Sequence, residues 1–245
     1  MAVPTFVAAG DIAGSTDTST PLAPAGLMLD DIEFLVVETA DEAVTLSTAA
    51  GFAEITGSPV SVANASAAIA TRGTLYWRRW NGSDGDPEIA DAGDHVIAQR
   101  YAVRGCIGSG NPWDFVQTSS EATEDTSGSA TGNTTTGDDR LILIIGGSAK
   151  PDTQSTTEVS GFTNANLTSI TEQADNARQA GNGGHVFCVT GTKATAGATG
   201  ATTYTKASSG YKWHYVIALV PTGGGGGGGT SVPVFVNHLR QQGIG

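Results

Sequence analysis

The chain has 245 residues, of which 39% are hydrophobic and 15% charged, with a formal net charge of −12. Gly, Ala, Ser and Thr dominate, which disfavours coiled coils and long surface helices. The 24 acidic residues against 12 basic ones repel a phosphate backbone, so nucleic-acid binding is disfavoured. No apolar run approaches the roughly 20 residues that span a bilayer, and no signal-peptide pattern follows Met1, so we expect a soluble protein.

A sequence pattern in the first half of the chain is repeated about 110 residues later. Residues 30–37 are a pair of aspartates followed by a long apolar strand, and residues 138–145 repeat this arrangement 108 positions on. Both strands are apolar on both faces, which predicts central strands covered on each side. Three further matches follow in the same order and with a growing offset: Gly51-Phe52 with Gly161-Phe162, residues 73–77 with 184–188, and residues 94–98 with 213–218.

An aromatic and arginine-rich strand occupies residues 75–80, and Trp113 follows further on. Trp77, Trp80 and Trp113 have three possible roles that the sequence does not separate. They can pack in the core with arginine stacked at their edge, anchor a protein interface, or stack on sugar rings.

Candidate chemical sites are weak along the whole chain. Residues 81–88 place oxygen side chains and glycines at spacings that a Ca²⁺ loop could use, although a solvated turn explains them better. The four histidines lack a metal-binding spacing, and we expect His95 and His214 to pack at strand edges. Cys106 and Cys188 are predicted to be free and buried. We therefore predict no catalytic residue, no metal and no cofactor.

The second half contains two polar segments. Residues 121–137 are predicted to form a loop and a polar strand, while residues 171–180 could form a short helical turn, a polar strand or a loop. The predicted fold is all-β, a jelly-roll-like β-sandwich of two similar halves, residues 1–119 and 120–221. One shared core is favoured over two small sandwiches.

The C-terminus carries an apolar segment on a glycine leash. Seven consecutive glycines within residues 222–230 predict a flexible linker. Residues 231–245 are then predicted to form a docking arm, either on their own domain or as a strand added to a neighbouring subunit, the option we favour. The predicted partner-binding residues are its apolar ones: Val232, Val234, Phe235, Val236, Leu239 and Ile244.

Several of these motifs together resemble a group of poorly characterised tailed-bacteriophage proteins encoded with virion structural genes. The resemblance spans residues 20–221, and its motifs are packing and turn motifs: Asp30-Asp31 with its strand, residues 76–79, residues 105–114, residues 161–164 and residues 191–193. It implies a virion structural role and carries over no active-site residue.

The resulting expectation is a non-enzymatic virion protein, assembled in the host cytoplasm and displayed in symmetric copies or as a homo-oligomer. Capsid decoration through the arm, with the major capsid protein as partner, is the favoured role, without nucleic acid or membrane. The alternatives are a tail or fibre component, or a glycan- or receptor-binding module.

Overall fold

The computed structural model describes residues 1–64, 66, 68–149 and 155–223. Every regular element in these residues is a β-strand, and the strands form two large antiparallel sheets. The predicted all-β architecture of two similar halves is confirmed. Short Thr-, Val- and Ile-rich runs separated by glycine turns explain this choice, since such residues fit a pleated, half-buried surface.

The first sheet is built from residues before Gly105. Its order is β1–β9–β3–β7–β5, with β2 beside β9 and β6 beside β7, and a separate ribbon pairs β4 with β8. The strands are β1 (Thr5–Ala9), β2 (Ala13–Ser15), β3 (Ile32–Thr39), β4 (Leu46–Thr48), β5 (Ala53–Glu54), β6 (Val60–Val62), β7 (Thr71–Arg79), β8 (Glu88–Ile89) and β9 (Val96–Arg104).

The second sheet has the order β10–β17–β12–β15–β14, with β13 also beside β17, and a second ribbon pairs β11 with β16. These strands are β10 (Trp113–Ala130), β11 (Thr134–Thr135), β12 (Arg140–Ala149), β13 (Val159–Thr163), β14 (Thr168–Arg178), β15 (Gly184–Lys193), β16 (Gly197–Ala198) and β17 (Thr202–Leu219). Since β10 belongs wholly to this sheet, the sequence division at 119/120 passes through a strand. The polar strand predicted within residues 121–137 is confirmed as the second part of β10.

The two sheets have the same topology. In chain order, the five strands of the main path are β1, β3, β5, β7 and β9 in the first sheet, and β10, β12, β14, β15 and β17 in the second. In each sheet the first of these five pairs with the fifth, and the second lies at the centre between the fourth and the fifth. The predicted central strands β3 and β12 occupy these positions, and all of their residues are buried. The sequence repeat therefore corresponds to a repeated sheet, with β3, β7 and β9 matching β12, β15 and β17.

The structure aligns the two central strands at an offset of 109 residues, one more than the 108 residues taken from the sequence. Asp30 and Asp139, 109 positions apart, both have a positive φ, of 70° and 59°, just before the two central strands. At that offset Ile32 matches Leu141, and both side chains belong to the same core cluster. A shift of one residue would turn each strand over, because side chains alternate between faces.

The inner faces of the sheets share one apolar core. A single buried cluster contains side chains from both central strands, among them Phe34 and Val36 from the first sheet and Leu143 and Ile145 from the second. Separate buried clusters cover the outer face of each sheet. The apolar residues on both faces of the central strands are thereby removed from water.

Trp213 occupies the middle of the shared core and contacts both sheets. A Cβ placed on Gly73 would lie 2.3 Å from its ring, and one placed on Gly147 would lie 2.2 Å away. The indole N–H donates to Thr71 Oγ1 at 3.1 Å, and the hydroxyl of Tyr215 donates to the carbonyl of Gly73 at 2.8 Å. The two glycines are therefore required to admit the largest buried side chain.

A buried charge network lies on the outer face of the first sheet. Glu33 accepts from Arg78 Nε at 2.6 Å and from Arg100 Nη2 at 2.5 Å. The Arg78 guanidinium also lies 4.4 Å from the centre of the Phe52 ring. Asp86, from the segment that resembled a Ca²⁺ loop, pairs with Arg100. That segment therefore covers the arginines, and the Asp86 carboxylate neutralises one of them.

Of the three alternatives left open for residues 171–180, the polar strand is confirmed, because most of them lie in β14, which pairs with β15. The expectation that His214 packs at a strand edge is wrong, because β17 is flanked by β10 and β12. His214 Nε2 lies 2.8 Å from the hydroxyl of Tyr204, and burial lowers the pKa of His214 to about 3.

His95 joins the two halves at the end of the sandwich opposite the chain exit. Its Nε2 lies 2.8 Å from Glu38 and its Nδ1 lies 2.8 Å from Asp94. Asp94 in turn accepts from the backbone N–H of Asn182, in the second half, at 2.7 Å. Burial alone would lower the pKa of His95, but the two carboxylates outweigh it and raise that pKa to about 9.

The stability of the protein is expected to fall at alkaline pH as His95 loses its proton. A histidine with a raised folded pKa stabilises fully below its unfolded value of 6.5, and this contribution is lost as the pH rises through about 9. The loss should be about 3 kcal/mol. It can be measured by urea unfolding at pH 6 and pH 9.5, with His95→Gln as the control. An equal loss in that variant would contradict this assignment.

Candidate docking cleft

An open cleft lies at the end of the sandwich where the described chain finishes. Its volume is about 410 Å³. Two of its wall residues, Met28 and Leu29, are large and apolar and are 59% and 67% exposed. We call it the exit cleft; its lining residues are Met28, Leu29, Asp30, Asp31, Arg104, Gly105, Cys106 and Thr222.

The turn that displays Met28 and Leu29 is fixed by Asp31. The Asp31 carboxylate accepts from the backbone N–H of Met28 at 2.8 Å, and the Asp31 N–H donates to the carbonyl of Met28 at 3.1 Å. Asp30 takes a positive φ of 70° and its N–H donates to the carbonyl of Trp80 at 2.9 Å. The turn is thus anchored at its base, while its two apolar side chains point away from the core.

Arg104 holds Asp31 in place from β9. Its Nε and Nη2 donate to the two carboxylate oxygens of Asp31 at 2.8 and 2.7 Å, and Nη2 also donates to the carbonyl of Gly26 at 2.7 Å. The hydrogen bonds to Asp31 raise the pKa of Arg104. A two-pronged pair of this kind is the strong form of a carboxylate–guanidinium contact. The wall of the cleft is therefore pre-arranged.

The final described residues form the opposite part of the wall. The N–H of Ile107 donates to the carbonyl of Val220 at 3.0 Å, and the N–H of Thr222 donates to the carbonyl of Gly105 at 2.8 Å. A Cβ placed on Gly223 would lie 3.8 Å from Met1 Sδ. The chain therefore leaves the sandwich beside the cleft and beside another exposed methionine.

The chemistry of the exit cleft favours binding over catalysis. Cys106 is a free thiol, and burial raises its pKa to about 12, so it stays protonated near neutral pH. Asp31 is neutralised by Arg104, and the remaining walls are mostly apolar. Within the part of the chain that the structure describes, no cluster of three or more His, Cys, Asp or Glu side chains could hold a metal ion.

The three tryptophans singled out in the sequence do not form one surface. Trp77 and Trp113 meet edge to face at 4.7 Å and pack against the shared core. Trp80 lies instead against Arg78, whose guanidinium is 4.6 Å from the centre of its ring. All three are half-buried. The structure therefore brings two of them together and places the third with the outer charge network.

The predicted partner-binding residues Val232, Val234, Phe235, Val236, Leu239 and Ile244 lie outside the described residues. The exit cleft itself was not predicted. Its sequence signal is the apolar run Leu27-Met28-Leu29, which stands between a turn glycine and the two aspartates that precede β3. Such a run resembles the start of a strand until its exposure is known.

Comparisons with known proteins give no relative. No family model, no curated protein and no solved structure matches this chain. A search of the described residues finds no helix with the length and apolar character needed to cross a membrane.

Proposed function

We propose that the protein is a non-enzymatic structural component of a bacteriophage virion, an exterior capsid decoration protein anchored through residues 231–245. The proposal combines the resemblance of residues 20–221 to virion-associated phage proteins with the architecture of the exit cleft. The partner is the major capsid protein or another copy of this chain.

One observation carries the proposal: the exit cleft and the start of the glycine-rich segment lie at the same end of the molecule. Thr222 lines the cleft, and the apolar residues Val234, Phe235 and Val236 follow only twelve to fourteen residues later. Exposed apolar surface next to an apolar tail is typical of a protein-binding end. A decoration protein needs such an attachment end and an inert body.

Buried ionisable groups of the body pair with one another, which supports the proposal of a non-enzymatic body. The side chains of Lys206 and Glu158 pair at 2.7 Å, and those of His185 and Asp175 at 2.8 Å; all four are buried. Among the residues that the structure describes, five of the ten lysines and arginines are buried, against five of the 23 acids. The surface is consequently more acidic than the composition alone implies, which supports a role away from nucleic acid.

The energetics suit attachment in many copies. Burying Val234, Phe235 and Val236 gives about 1.5–3 kcal/mol each, less the cost of ordering the linker. A single contact of this size is modest. On a symmetric particle, each body–capsid contact and each arm contact reinforce one another, because the second contact forms at a high effective concentration.

Locating the chain on purified particles by cryo-electron microscopy tests the proposed function. We expect ordered copies on the outside of the capsid, with the exit cleft facing a neighbouring subunit. Density for this chain on the tail alone would overturn capsid decoration and support a tail or fibre component. Absence of the chain from purified particles would overturn the virion role altogether.

A further inference from the structure

The exit cleft exposes two neighbouring large apolar side chains. Of the four large hydrophobic residues that are exposed in the described part of the chain, Met28 and Leu29 line this cleft. A cleft of about 410 Å³ has the size of a small ligand pocket and can take one or two large side chains. It is held open by the Asp31–Arg104 pair, so it needs no rearrangement to be filled.

We propose that, in the free subunit, residues Val234, Phe235 and Val236 of the same chain occupy the exit cleft. Twelve residues separate Thr222, in the cleft wall, from Val234. Fully extended, they reach about 40 Å. A glycine-rich coil of that length has a typical end-to-end distance of about 20 Å, so the segment can turn back to its own cleft.

The short linker also determines whether the segment docks in the cleft of its own chain or in that of a second copy. A flexible linker of this length gives an effective concentration in the millimolar range. Copies in trans compete only at the total protein concentration, which is micromolar in an ordinary solution experiment. Docking within one chain is therefore favoured until copies are concentrated on a larger assembly.

The chemistry of the segment fits the cleft. Phe235 offers a ring to the methionine and leucine of the wall, and methionine sulfur contacts aromatic rings favourably. Residues 231–245 contain His238 and Arg240 but no acidic side chain, whereas the cleft rim carries the exposed Asp30. The apolar residues of the segment thus complement Met28 and Leu29, and its positive charges complement Asp30. This inference concerns the free protein and does not depend on the virion role.

Cysteine cross-linking in the full chain tests the inference. The double variant Met28→Cys/Asn237→Cys, made with Cys106→Ala because Cys106 is a free thiol of the cleft wall, is oxidised with copper–phenanthroline at micromolar concentration. We expect an intramolecular disulfide, seen as a monomer that has lost two hydrogens by intact mass, on the order of tenfold faster than in Leu22→Cys/Asn237→Cys in the same background. Leu22 is 54% exposed but does not line the cleft, so it is a matched control.

Mixing the single variants Met28→Cys and Asn237→Cys, each with Cys106→Ala, separates the two modes of docking. Docking in cis predicts little covalent dimer from this mixture, and a dimer as abundant as the intramolecular product would overturn it in favour of exchange between copies. Cross-linking no faster than in the Leu22 control would overturn occupancy of the cleft. A second readout is peroxide oxidation of Met28, which should be several-fold faster in Phe235→Asp than in Gln242→Asp; equal rates would likewise overturn it.

Discussion

Replacing Glu33 by glutamine is expected to lower the free energy of unfolding by about 3–5 kcal/mol. Glu33 is fully buried and is the shared partner of Arg78 and Arg100, which are 3% and 0% exposed. Glutamine keeps the shape of the side chain but removes the charge that offsets two buried guanidinium groups. Breaking a buried pair from one side costs far more than the pair contributes, because the remaining charge stays desolvated.

Urea unfolding monitored by far-UV circular dichroism measures this loss as a lower transition midpoint at an unchanged m-value. Glu54→Gln is the matched control, since Glu54 is exposed on β5 and should change stability by less than about 0.5 kcal/mol. A loss below about 1 kcal/mol in Glu33→Gln would contradict the central place of this carboxylate in the network.

Replacing Trp213 by alanine is expected to cost about 3–5 kcal/mol. The side chain is 0% exposed and touches both sheets, so its removal leaves a cavity between the two halves rather than at the surface. It also deletes the hydrogen bond to Thr71 Oγ1 across the sandwich. Urea unfolding gives the change in stability, and a loss near zero would show that the halves do not depend on this contact.

A double-mutant cycle with Gly73→Ala isolates the fit between the indole and the opposite sheet. In the wild type the new Cβ would lie 2.3 Å from the Trp213 ring, so Gly73→Ala should be destabilising. In the Trp213→Ala background the clash with the indole ring is gone, and alanine suits a strand better than glycine. The two costs should therefore not add. Gly85→Ala, with nothing within 4 Å of the new Cβ, is the control.

Strand identity and the duplication could be predicted because both depend on local signals. The continuous apolar runs in β3 and β12 mark central strands wherever they occur, and turn residues bound them. The same runs explain the wrong offset. Where every residue is apolar, the sequence does not show which side chains face the core. An alignment shifted by one residue then matches as well as the correct one.

The buried charges and the exit cleft could not be predicted for a different reason. Glu33 accepts a hydrogen bond from Arg100, which lies 67 positions away in the sequence, and nothing in the local pattern around either residue indicates this partner. The helical alternative for residues 171–180 was wrong because pairing with β15 outweighs the weak helix propensity of this polar stretch. Met28 and Leu29 are exposed because Asp31 and Arg104 fix the turn that carries them, and these contacts have no local sequence signal.

The proposed attachment to a virion is tested most directly by deleting residues 230–245 and measuring how many copies purified particles carry. The full-length triple variant Val234→Ser/Phe235→Ser/Val236→Ser removes the same apolar surface without shortening the chain, and Gln241→Ser/Gln242→Ser is its matched control. We expect both the deletion and the triple variant to lose most of their occupancy while the control keeps it. Normal occupancy of the deletion would contradict an attachment through the C-terminal segment.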